Sequence, residues 1–346
     1  MATIGSPELL IVLGAEATSE QVDHVVARLD EAGVDARVTR GREATVIGAI
    51  GDRELLATLP LEGYPGVEQV LPILKPYRLV ARELAPDPTV IEVDGRRIGE
   101  SYFGLIAGPC SVETREQTLQ TARVVAEAGA TMLRGGAFKP RTSPYTFQGL
   151  GVEALELLKE AREETGLPIV TELMDPRHVE AVVESADVIQ IGARNSQNFL
   201  LLSEVGRADK PVLLKRGLSS SVEELLMAAE YVAKEGNDRI ILCERGIKTF
   251  ETATRFTLDL GAVAVLKNET HLPVIVDPSH AAGRRDLVLP LARAAAAVGA
   301  DGIIVETHPN PDHALSDAAQ QIPTSDFGEF AAEVTAIATL MGKEIG

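Results

Sequence analysis

The feature of this sequence that most constrains its fold is a series of eight short apolar segments separated by longer helical ones. From Tyr102 onward the apolar segments read FGLIAGP, ATMLRGG, PIVTEL, DVIQIGA, PVLLKRG, RIILCERG, PVIVDPS and DGIIVET. The stretches between them, such as TREQTLQTARVVAEAG and SVEELLMAAEYVAKEG, have helical periodicity and mostly end at a glycine. Eight strand–helix units in roughly 250 residues predict a (β/α)8 TIM barrel, although a doubly wound open sheet shares this periodicity.

A separate pattern precedes the barrel and predicts a second, smaller domain. Strand, helix, two strands, helix and strand follow one another as ELLIVLG, SEQVDHVVARLDEAG, VDARVTR, EATVIGAIG, RELLATL and GVEQVLPIL. This βαββαβ order predicts a small α+β ferredoxin-like domain over residues 1–85. Residues 86–346 then form the barrel, led by a β-hairpin that turns at Asp94-Gly95.

Composition excludes several classes of function. The 33 Lys and Arg residues are outnumbered by 51 Asp and Glu residues, and a net charge of -18 argues against nucleic-acid and anionic-membrane partners. No apolar run reaches the roughly 18 residues that a membrane span needs, and the N-terminus lacks a basic leader. Two cysteines form no disulfide framework, so a reducing, cytoplasmic location is expected.

Polar side chains collect where the predicted strands end, which is the rim that carries the active site in a TIM barrel. A mixed set of sulfur, nitrogen and oxygen donors stands out: Cys110, His280, Glu306 and one of Asp312, His313 or Asp317. Thiolate and imidazole favour a borderline divalent transition metal over Mg²⁺ or Ca²⁺. The residues therefore predict a metal centre, provided that the barrel brings four distant segments together.

Cations cluster on the same rim, even though the whole chain is acidic. The set comprises Arg134, Lys139, Arg141, Arg194, Lys215, Arg216 and Arg245. Arginine forks bind phosphate and carboxylate in two-point contacts, and Gly135 and Gly136 would let a ligand approach the backbone. This pattern predicts phosphorylated ligands. The alternative is that single members form structural ion pairs with strand-end carboxylates such as Glu172, Glu244 and Asp277.

Seven ordered motifs resemble those of 3-deoxy-D-arabino-heptulosonate 7-phosphate (DAHP) synthases. They are GPCSVE, LRGGAFKPRTSPYTFQGLG, IGARNSQNF, LLKRG, CERG, DPSHAAG and VETHPNPDHALSDAAQ, and they span nearly the whole chain. The short type with an N-terminal ferredoxin-like domain is the most similar. The resemblance implies a condensation of phosphoenolpyruvate with erythrose 4-phosphate to DAHP and phosphate, the first step of the shikimate pathway to aromatic amino acids.

The resemblance also implies residue roles. The metal ligands would be Cys110, His280, Glu306 and Asp317, the last because it lies in the LSDAAQ segment. Phosphoenolpyruvate would contact Arg134, Arg194, Lys215 and Arg245, and erythrose 4-phosphate would contact Lys139, Pro140, Arg141 and Thr142, with Ser143 as a further contact. Lys139, Cys110 and His280 would be catalytic. Either Lys139 or a water on the metal would supply the proton to the new alkoxide.

Further expectations follow from the same resemblance. One divalent metal ion is expected, with Mn first and Fe, Co, Zn or Cd as alternatives. The N-terminal domain would bind an aromatic amino acid, Tyr or Phe, close over the rim and inhibit the enzyme, and the chain would form a homotetramer. The rival functions are 3-deoxy-D-manno-octulosonate 8-phosphate synthase, which typically has a KANRS-like loop instead of KPRTS, and a non-catalytic small-molecule sensor. A redox pair of Cys110 and Cys243 is a further hypothesis.

Overall fold

The computed structural model describes residues 8–85, 87–139, 143 and 145–346. Its N-terminal part contains six elements in the predicted βαββαβ order. They are β1 (Leu9–Gly14), α1 (Ser19–Glu31), β2 (Asp35–Arg40), β3 (Ala44–Ile50), α2 (Arg53–Leu56) and β4 (Val67–Pro72). The strands form one antiparallel sheet in the order β2-β3-β1-β4, which confirms the ferredoxin-like prediction.

The local sequence explains where the first helix begins and where the following hairpin turns. Thr18 caps α1 in a reciprocal capping box with Gln21, which satisfies two backbone N–H groups at the helix start. The hairpin that follows the N-terminal domain consists of β5 (Ile91–Val93) and β6 (Arg96–Ile98). Asp94 and Gly95 both have positive φ, as a two-residue type I′ turn requires.

The remaining chain forms a barrel of eight parallel strands. In chain order they are β7 (Tyr102–Gly108), β8 (Met132–Arg134), β9 (Ile169–Glu172), β10 (Val188–Ile191), β11 (Val212–Lys215), β12 (Ile240–Glu244), β13 (Val274–Val276) and β14 (Gly302–His308). The last strand pairs with the first over five residue pairs, from Gly302 with Gly104 to Glu306 with Gly108. This closure confirms the barrel and excludes the doubly wound sheet.

Helices cover the outside of the barrel. They are α3 (Arg115–Glu127), α4 (Val152–Thr165), α5 (Val179–Ser185), α6 (Phe199–Arg207), α7 (Val222–Lys234), α8 (Leu260–Glu269), α9 (Pro278–Ala282), α10 (Arg285–Ala297) and α11 (Thr324–Leu340). Two short strands, β15 (Ile322–Pro323) and β16 (Glu344–Ile345), extend the sheet beside β14 and β7. Within the described residues, no helix has the length and apolar character needed to cross a membrane.

The hairpin closes the barrel at the N-terminal ends of its strands. Ile91, Val93 and Ile98 belong to the same buried cluster as the inward-facing side chains of the barrel, which include Ile106 and Ile304. Gly104 makes room for this plug, because a Cβ at residue 104 would lie 2.6 Å from the Cδ1 atom of Ile98. The hairpin therefore covers the N-terminal end of the barrel interior.

The ferredoxin-like domain contacts the barrel at that same closed end. Leu10 and Val46, on the sheet face opposite α1, pack in one cluster with Tyr77 and Leu79 of the connecting segment. Arg37 forms an ion pair of 3.5 Å with Asp238, just before β12. In this structure the domain therefore lies away from the rim, and the predicted closure over the rim stays a prediction.

The segment between the two domains, residues 73–90, is held by buried hydrogen bonds. The Glu230 carboxylate of α7 accepts the backbone N–H groups of Leu79 and Val80 at 3.0 and 3.2 Å. His271 contacts the Leu79 carbonyl through Nε2 at 3.0 Å and the Thr89 hydroxyl through Nδ1 at 2.6 Å. The predicted domain boundary at residue 85 lies within this segment.

Candidate active site

The open end of the barrel contains a cavity of about 340 Å³. Charged, hydroxyl, amide and imidazole side chains from strand ends and from the loops after them line it: Arg134, Lys139, Ser143, Thr146, Glu172, Gln190, Arg194, Lys215, Arg245, Arg255, His280 and Asp317. Because parallel strands all end at this rim, residues more than 180 positions apart in the sequence share one small volume. The structure thus brings two predicted metal ligands, His280 and Asp317, close to five of the predicted cations.

Four of the predicted donors converge at one side of the cavity and form a candidate metal centre, defined here as Cys110, His280, Glu306 and Asp317. Ligand atoms of Cys110, Glu306 and Asp317 all lie within 4.8 Å of one another. The Nε2 atom of His280 is 3.4 Å from Glu306 Oε1 and 3.8 Å from Asp317 Oδ2. The predicted choice of Asp317 is therefore geometrically consistent.

The electrostatics of this cluster favour a cation. Burial, together with the nearby Glu306 carboxylate, raises the pKa of the Cys110 thiol to about 12, even though Lys139 opposes the rise. Burial also opposes ionisation of Glu306, yet His280 and Arg134 hold the pKa of its carboxyl below the usual range. A thiolate in this place needs an added positive charge, and the S, N, O, O donor set fits a borderline divalent transition metal.

The alternative ligands that the residues left open lie elsewhere. Asp312 is exposed and pairs with Arg285 at 3.2 Å. His313 is also exposed. Both lie in the loop between β14 and β15, but neither is among the residues that line the cavity.

Hydrogen bonds orient the members of the candidate metal centre. The Nη1 atom of Arg134 donates to Glu306 Oε1 at 2.7 Å, and Gln320 Nε2 donates to Glu306 Oε2 at 2.8 Å. Asp277 Oδ2 lies 2.7 Å from His280 Nδ1, which leaves Nε2 facing the cluster. Partners of this kind fix the ring orientation and the carboxylate rotamer of metal ligands.

The four cations predicted to hold phosphoenolpyruvate, here called the cation group, all line the cavity: Arg134, Arg194, Lys215 and Arg245. Lys215 ends β11 and forms a buried ion pair with Asp277. The Arg245 guanidinium lies 4.2 Å from the centre of the Phe256 ring, and burial lowers its pKa. Arg194 is exposed on the loop after β10. Several fixed cations in a largely buried site are suited to a polyanionic ligand.

Lys139 connects the cation group to the candidate metal centre. Its ammonium donates to the Cys110 carbonyl at 2.8 Å and lies 3.1 Å from Cys110 Sγ. Ser143 also lines the cavity. The other residues predicted for the erythrose 4-phosphate loop, Pro140, Arg141 and Thr142, lie outside the described residues.

One sequence interpretation needs correction. Arg216 is not among the residues that line the cavity, because its guanidinium is buried in ion pairs with Glu244 at 2.8 Å and Asp259 at 3.0 Å. Gly135 and Gly136 are required for packing, and their role in ligand approach stays a prediction. A Cβ at Gly135 would lie 2.7 Å from Leu158, and one at Gly136 would lie 2.6 Å from the Cys110 carbonyl oxygen.

Sequence reasoning missed the contribution of the loop between β12 and α8. Arg255 donates to Asp317 Oδ1 and to Gln320 Oε1, both at 3.2 Å, and it lines the cavity beside Phe256. These residues come about ten positions after the end of β12, so a search restricted to strand ends does not find them. The arginine in an otherwise weakly charged ATRFTLDL segment was the available signal.

Cys243 does not belong to the candidate metal centre. It lies in the apolar cluster inside the barrel, and its Sγ faces the Glu244 carbonyl at 3.6 Å. Burial raises the pKa of this thiol as well, which disfavours the thiolate needed for disulfide exchange. A redox pair with Cys110 stays a prediction.

Comparison with known families assigns both domains. Residues 88–342 match the DAHP synthetase I family, and residues 9–75 match the DAHP synthase ferredoxin-like domain. A phospho-2-dehydro-3-deoxyheptonate aldolase from Thermotoga maritima is 51% identical over 337 residues, covering 97% of this chain and 100% of that protein. A 2-dehydro-3-deoxyphosphooctonate aldolase from Syntrophotalea carbinolica is 37% identical over 257 residues, covering 69% and 92%.

Solved structures give the same result. The crystal structure of a Thermotoga maritima phospho-2-dehydro-3-deoxyheptonate aldolase (DAHP synthase) superposes with a TM-score of 0.78 at 49% identity, covering 99% of this chain and 100% of that one. A truncated form of the 3-deoxy-D-arabino-heptulosonate 7-phosphate synthase from the same organism covers 78% of this chain and 98% of its own, with a TM-score of 0.73 at 51% identity.

Proposed function

The chain belongs to the DAHP synthetase I family, and on this premise we propose that it condenses phosphoenolpyruvate with D-erythrose 4-phosphate to DAHP and inorganic phosphate. This is the first step of the shikimate pathway. The observation that carries the proposal is the cavity in which the cation group faces the candidate metal centre. The two substrates together bring about five negative charges, and such a cavity offsets their mutual repulsion.

The cation group would hold phosphoenolpyruvate. Arg134 ends β8 and Lys215 ends β11, and both side chains are buried. Each is already oriented by a carboxylate, Glu306 and Asp277 respectively. Arg194 and Arg245 extend the positive surface toward solvent and toward Phe256. Fixed partners reduce the cost of ordering these long side chains when the anion binds.

The candidate metal centre would hold one divalent metal through Cys110, His280, Glu306 and Asp317, with Mn as the first choice and Fe, Co, Zn or Cd as alternatives. When bound, such a metal supplies Lewis-acid polarisation of the aldehyde oxygen of erythrose 4-phosphate. Lys139 lies beside Cys110, so erythrose 4-phosphate bound there would meet the lysine and the metal together. Arg141, Pro140 and Thr142 would complete this subsite.

The reaction forms one carbon–carbon bond and, with one water molecule, exchanges one carbon–oxygen bond at C2. C3 of phosphoenolpyruvate attacks the aldehyde carbon, the water oxygen bonds to C2, and phosphate leaves with cleavage of its own bond to C2. The two protons of the water balance those taken up by the new alkoxide and by the departing phosphate. Lys139 Nζ would donate the proton that neutralises the new alkoxide oxygen. Burial of Lys139, Arg134 and Lys215 keeps bulk water away from the reacting atoms, which strengthens each of these charge contacts.

The deciding experiment measures consumption of phosphoenolpyruvate by metal-stripped protein, with and without Mn(II), against erythrose 4-phosphate and arabinose 5-phosphate. We expect turnover with erythrose 4-phosphate that requires the metal. Turnover with arabinose 5-phosphate alone would favour the 3-deoxy-D-manno-octulosonate 8-phosphate reaction, in line with the phosphooctonate aldolase relatives. No turnover with either aldose would support a sensor, and full activity after chelation would exclude the metal.

Regulation and assembly form the second part of the proposal. The match of residues 9–75 to a DAHP synthase ferredoxin-like domain supports feedback inhibition by Tyr or Phe. We also expect a homotetramer in the cytoplasm. Addition of each amino acid to the full-length enzyme tests the first point, and lack of response to both would exclude it. Light scattering of the full-length chain tests the second.

A further inference from the structure

One buried aspartate belongs to both halves of the site. Asp277 lies between β13 and α9 with its side chain 1% exposed. Its Oδ1 accepts the backbone N–H of His280 at 2.9 Å, which caps α9. Its Oδ2 contacts two side chains, His280 Nδ1 at 2.7 Å and Lys215 Nζ at 2.5 Å.

The two side chains that contact Oδ2 belong to the predicted sites of two different ligands. His280 is in the candidate metal centre, whereas Lys215 is in the cation group, and both line the cavity. Because the Asp277 side chain is almost fully buried, solvent can hardly replace either contact. A change in the strength of one contact must therefore change the strength of the other.

We propose that Asp277 is a positioning residue that couples metal binding at His280 to phosphoenolpyruvate binding at Lys215, so that each ligand raises the affinity for the other. This inference rests on the proposed function, because it takes the metal and phosphoenolpyruvate as the ligands of these two side chains.

Charge redistribution gives the sign of the coupling. A cation at His280 Nε2 polarises the imidazole and strengthens its Nδ1–H contact with Asp277. The carboxylate then neutralises Lys215 less, and the ammonium binds an anion more strongly. In the reverse direction, phosphoenolpyruvate draws Lys215 away and leaves Asp277 to orient His280. Reciprocity of this kind is a thermodynamic requirement.

Calorimetric titration tests the proposal without relying on activity. Mn(II) is titrated into metal-stripped full-length protein with and without saturating phosphoenolpyruvate, and the ratio of the two dissociation constants is the coupling factor. For Asp277→Asn we expect Mn(II) affinity to fall about 10- to 100-fold. We expect its coupling factor to fall about 5-fold or more, leaving the part due to direct attraction between the ligands.

Asp301→Asn is the matched control. Asp301 is a fully buried aspartate of the same barrel that contacts two lysines, Lys267 and Lys343, at the closed end. It should keep the wild-type coupling factor. An Asp277→Asn protein with wild-type coupling, or a wild-type protein that binds both ligands independently, would overturn the inference. A wild-type protein that binds neither Mn(II) nor phosphoenolpyruvate would instead overturn the proposed function.

A second variant covers the case in which Asp277→Asn does not fold. Lys215→Met removes the competing partner and leaves Asp277 wholly to His280. We expect it to tighten Mn(II) binding in the absence of phosphoenolpyruvate more than Arg245→Met does. Arg245 is a cation of the same cavity, but among the described residues it forms no hydrogen bond or ion pair with Asp277 and acts on it only through longer-range attraction. If Mn(II) binds equally more tightly to both variants, the effect is only the loss of repulsion between the metal and any cation of the cavity. This result would contradict the proposal.

Discussion

Both ends of the barrel hold a buried aspartate that contacts two basic side chains, yet the partners of the two aspartates face different surroundings. At the closed end, Asp301 contacts Lys267 and Lys343 and accepts the Val274 backbone N–H at 2.8 Å. At the open end, Asp277 contacts His280 and Lys215, whose side chains line the cavity. Asp301 therefore links elements of secondary structure at the closed end, whereas Asp277 orients ligand-binding side chains at the open end.

The comparison shows that the residues expected to stabilise the barrel and the residues that line its cavity lie at opposite ends. Among the described residues, the closed end combines an apolar plug with ion pairs whose members do not line the cavity. The open end concentrates buried charges, which cost stability unless they are paired. Substitutions at the closed end should therefore change unfolding and spare catalysis, whereas substitutions at the open end should do the reverse.

The largest expected effect is at the open end. Asp317→Asn removes one carboxylate charge from the candidate metal centre, so kcat/KM should fall at least about 1,000-fold. This loss is larger than the about 10- to 100-fold loss typical of residues that only orient a metal ligand. The melting temperature should change by only about 2 °C. Steady-state kinetics with added Mn(II) and thermal unfolding check both values. Retention of a tenth of the wild-type kcat/KM would place the metal elsewhere.

The apolar plug should show the opposite behaviour. Ile98→Ala leaves a cavity beneath the barrel and should lower the free energy of unfolding by about 2–5 kcal/mol. The kcat/KM of the folded enzyme should stay unchanged, because Ile98 lies at the far end from the rim. Leu74→Ala is the control, since this leucine is 79% exposed. A large loss of kcat/KM in Ile98→Ala would show that the two ends are not independent.

A charge substitution at the closed end should have a moderate effect. Asp301→Asn weakens two ion pairs with partly exposed lysines, so we expect about 2–3 kcal/mol of destabilisation, below the range for fully buried pairs. Thermal unfolding measures the loss, and the KM for phosphoenolpyruvate should match the wild type. If stability is unchanged while the KM rises, the assignment of this aspartate to stability alone is wrong.

The smallest expected effect is a loss of stability at low pH. Burial lowers the pKa of His271, which contacts the segment between the domains. Below about pH 6.5 the unfolded chain therefore takes up a proton that the folded chain does not, and stability falls as the pH falls. The slope is at most about 1.4 kcal/mol per pH unit for one group. Between pH 5 and 8, the melting temperature of the wild type should fall more steeply below pH 6.5 than that of His271→Gln, and parallel curves would contradict this.

Local patterns were sufficient to predict the architecture. The Asp94-Gly95 turn and the alternation of apolar and helical segments depend on residues close together in the sequence, so both can be recognised without a structure. The candidate metal centre was also predictable, because strand ends of a barrel meet at one rim. The choice of Asp317 over Asp312 needed the family resemblance first and the geometry second.

Other features depend on contacts between distant residues and were not predictable in this way. Arg216 had the same strand-end position as Lys215, but only the fold shows that Asp259 and Glu244 bind it. Arg255 reaches Asp317 across 62 residues of sequence. The attachment of the interdomain segment to Glu230 and His271 likewise joins residues more than 150 positions apart.

The hairpin plug has a consequence for synthesis of the chain. Residues 91–98 leave the ribosome before any barrel strand, whereas β14, which closes the barrel around them, ends at His308. At a translation rate of about 5–20 residues per second, roughly 10–40 s pass between synthesis of the hairpin and completion of β14. Throughout that interval Ile91, Val93 and Ile98 lack their final packing and are available for non-native association. The segment that covers one end of the finished barrel is thus exposed to aggregation while the barrel is being made.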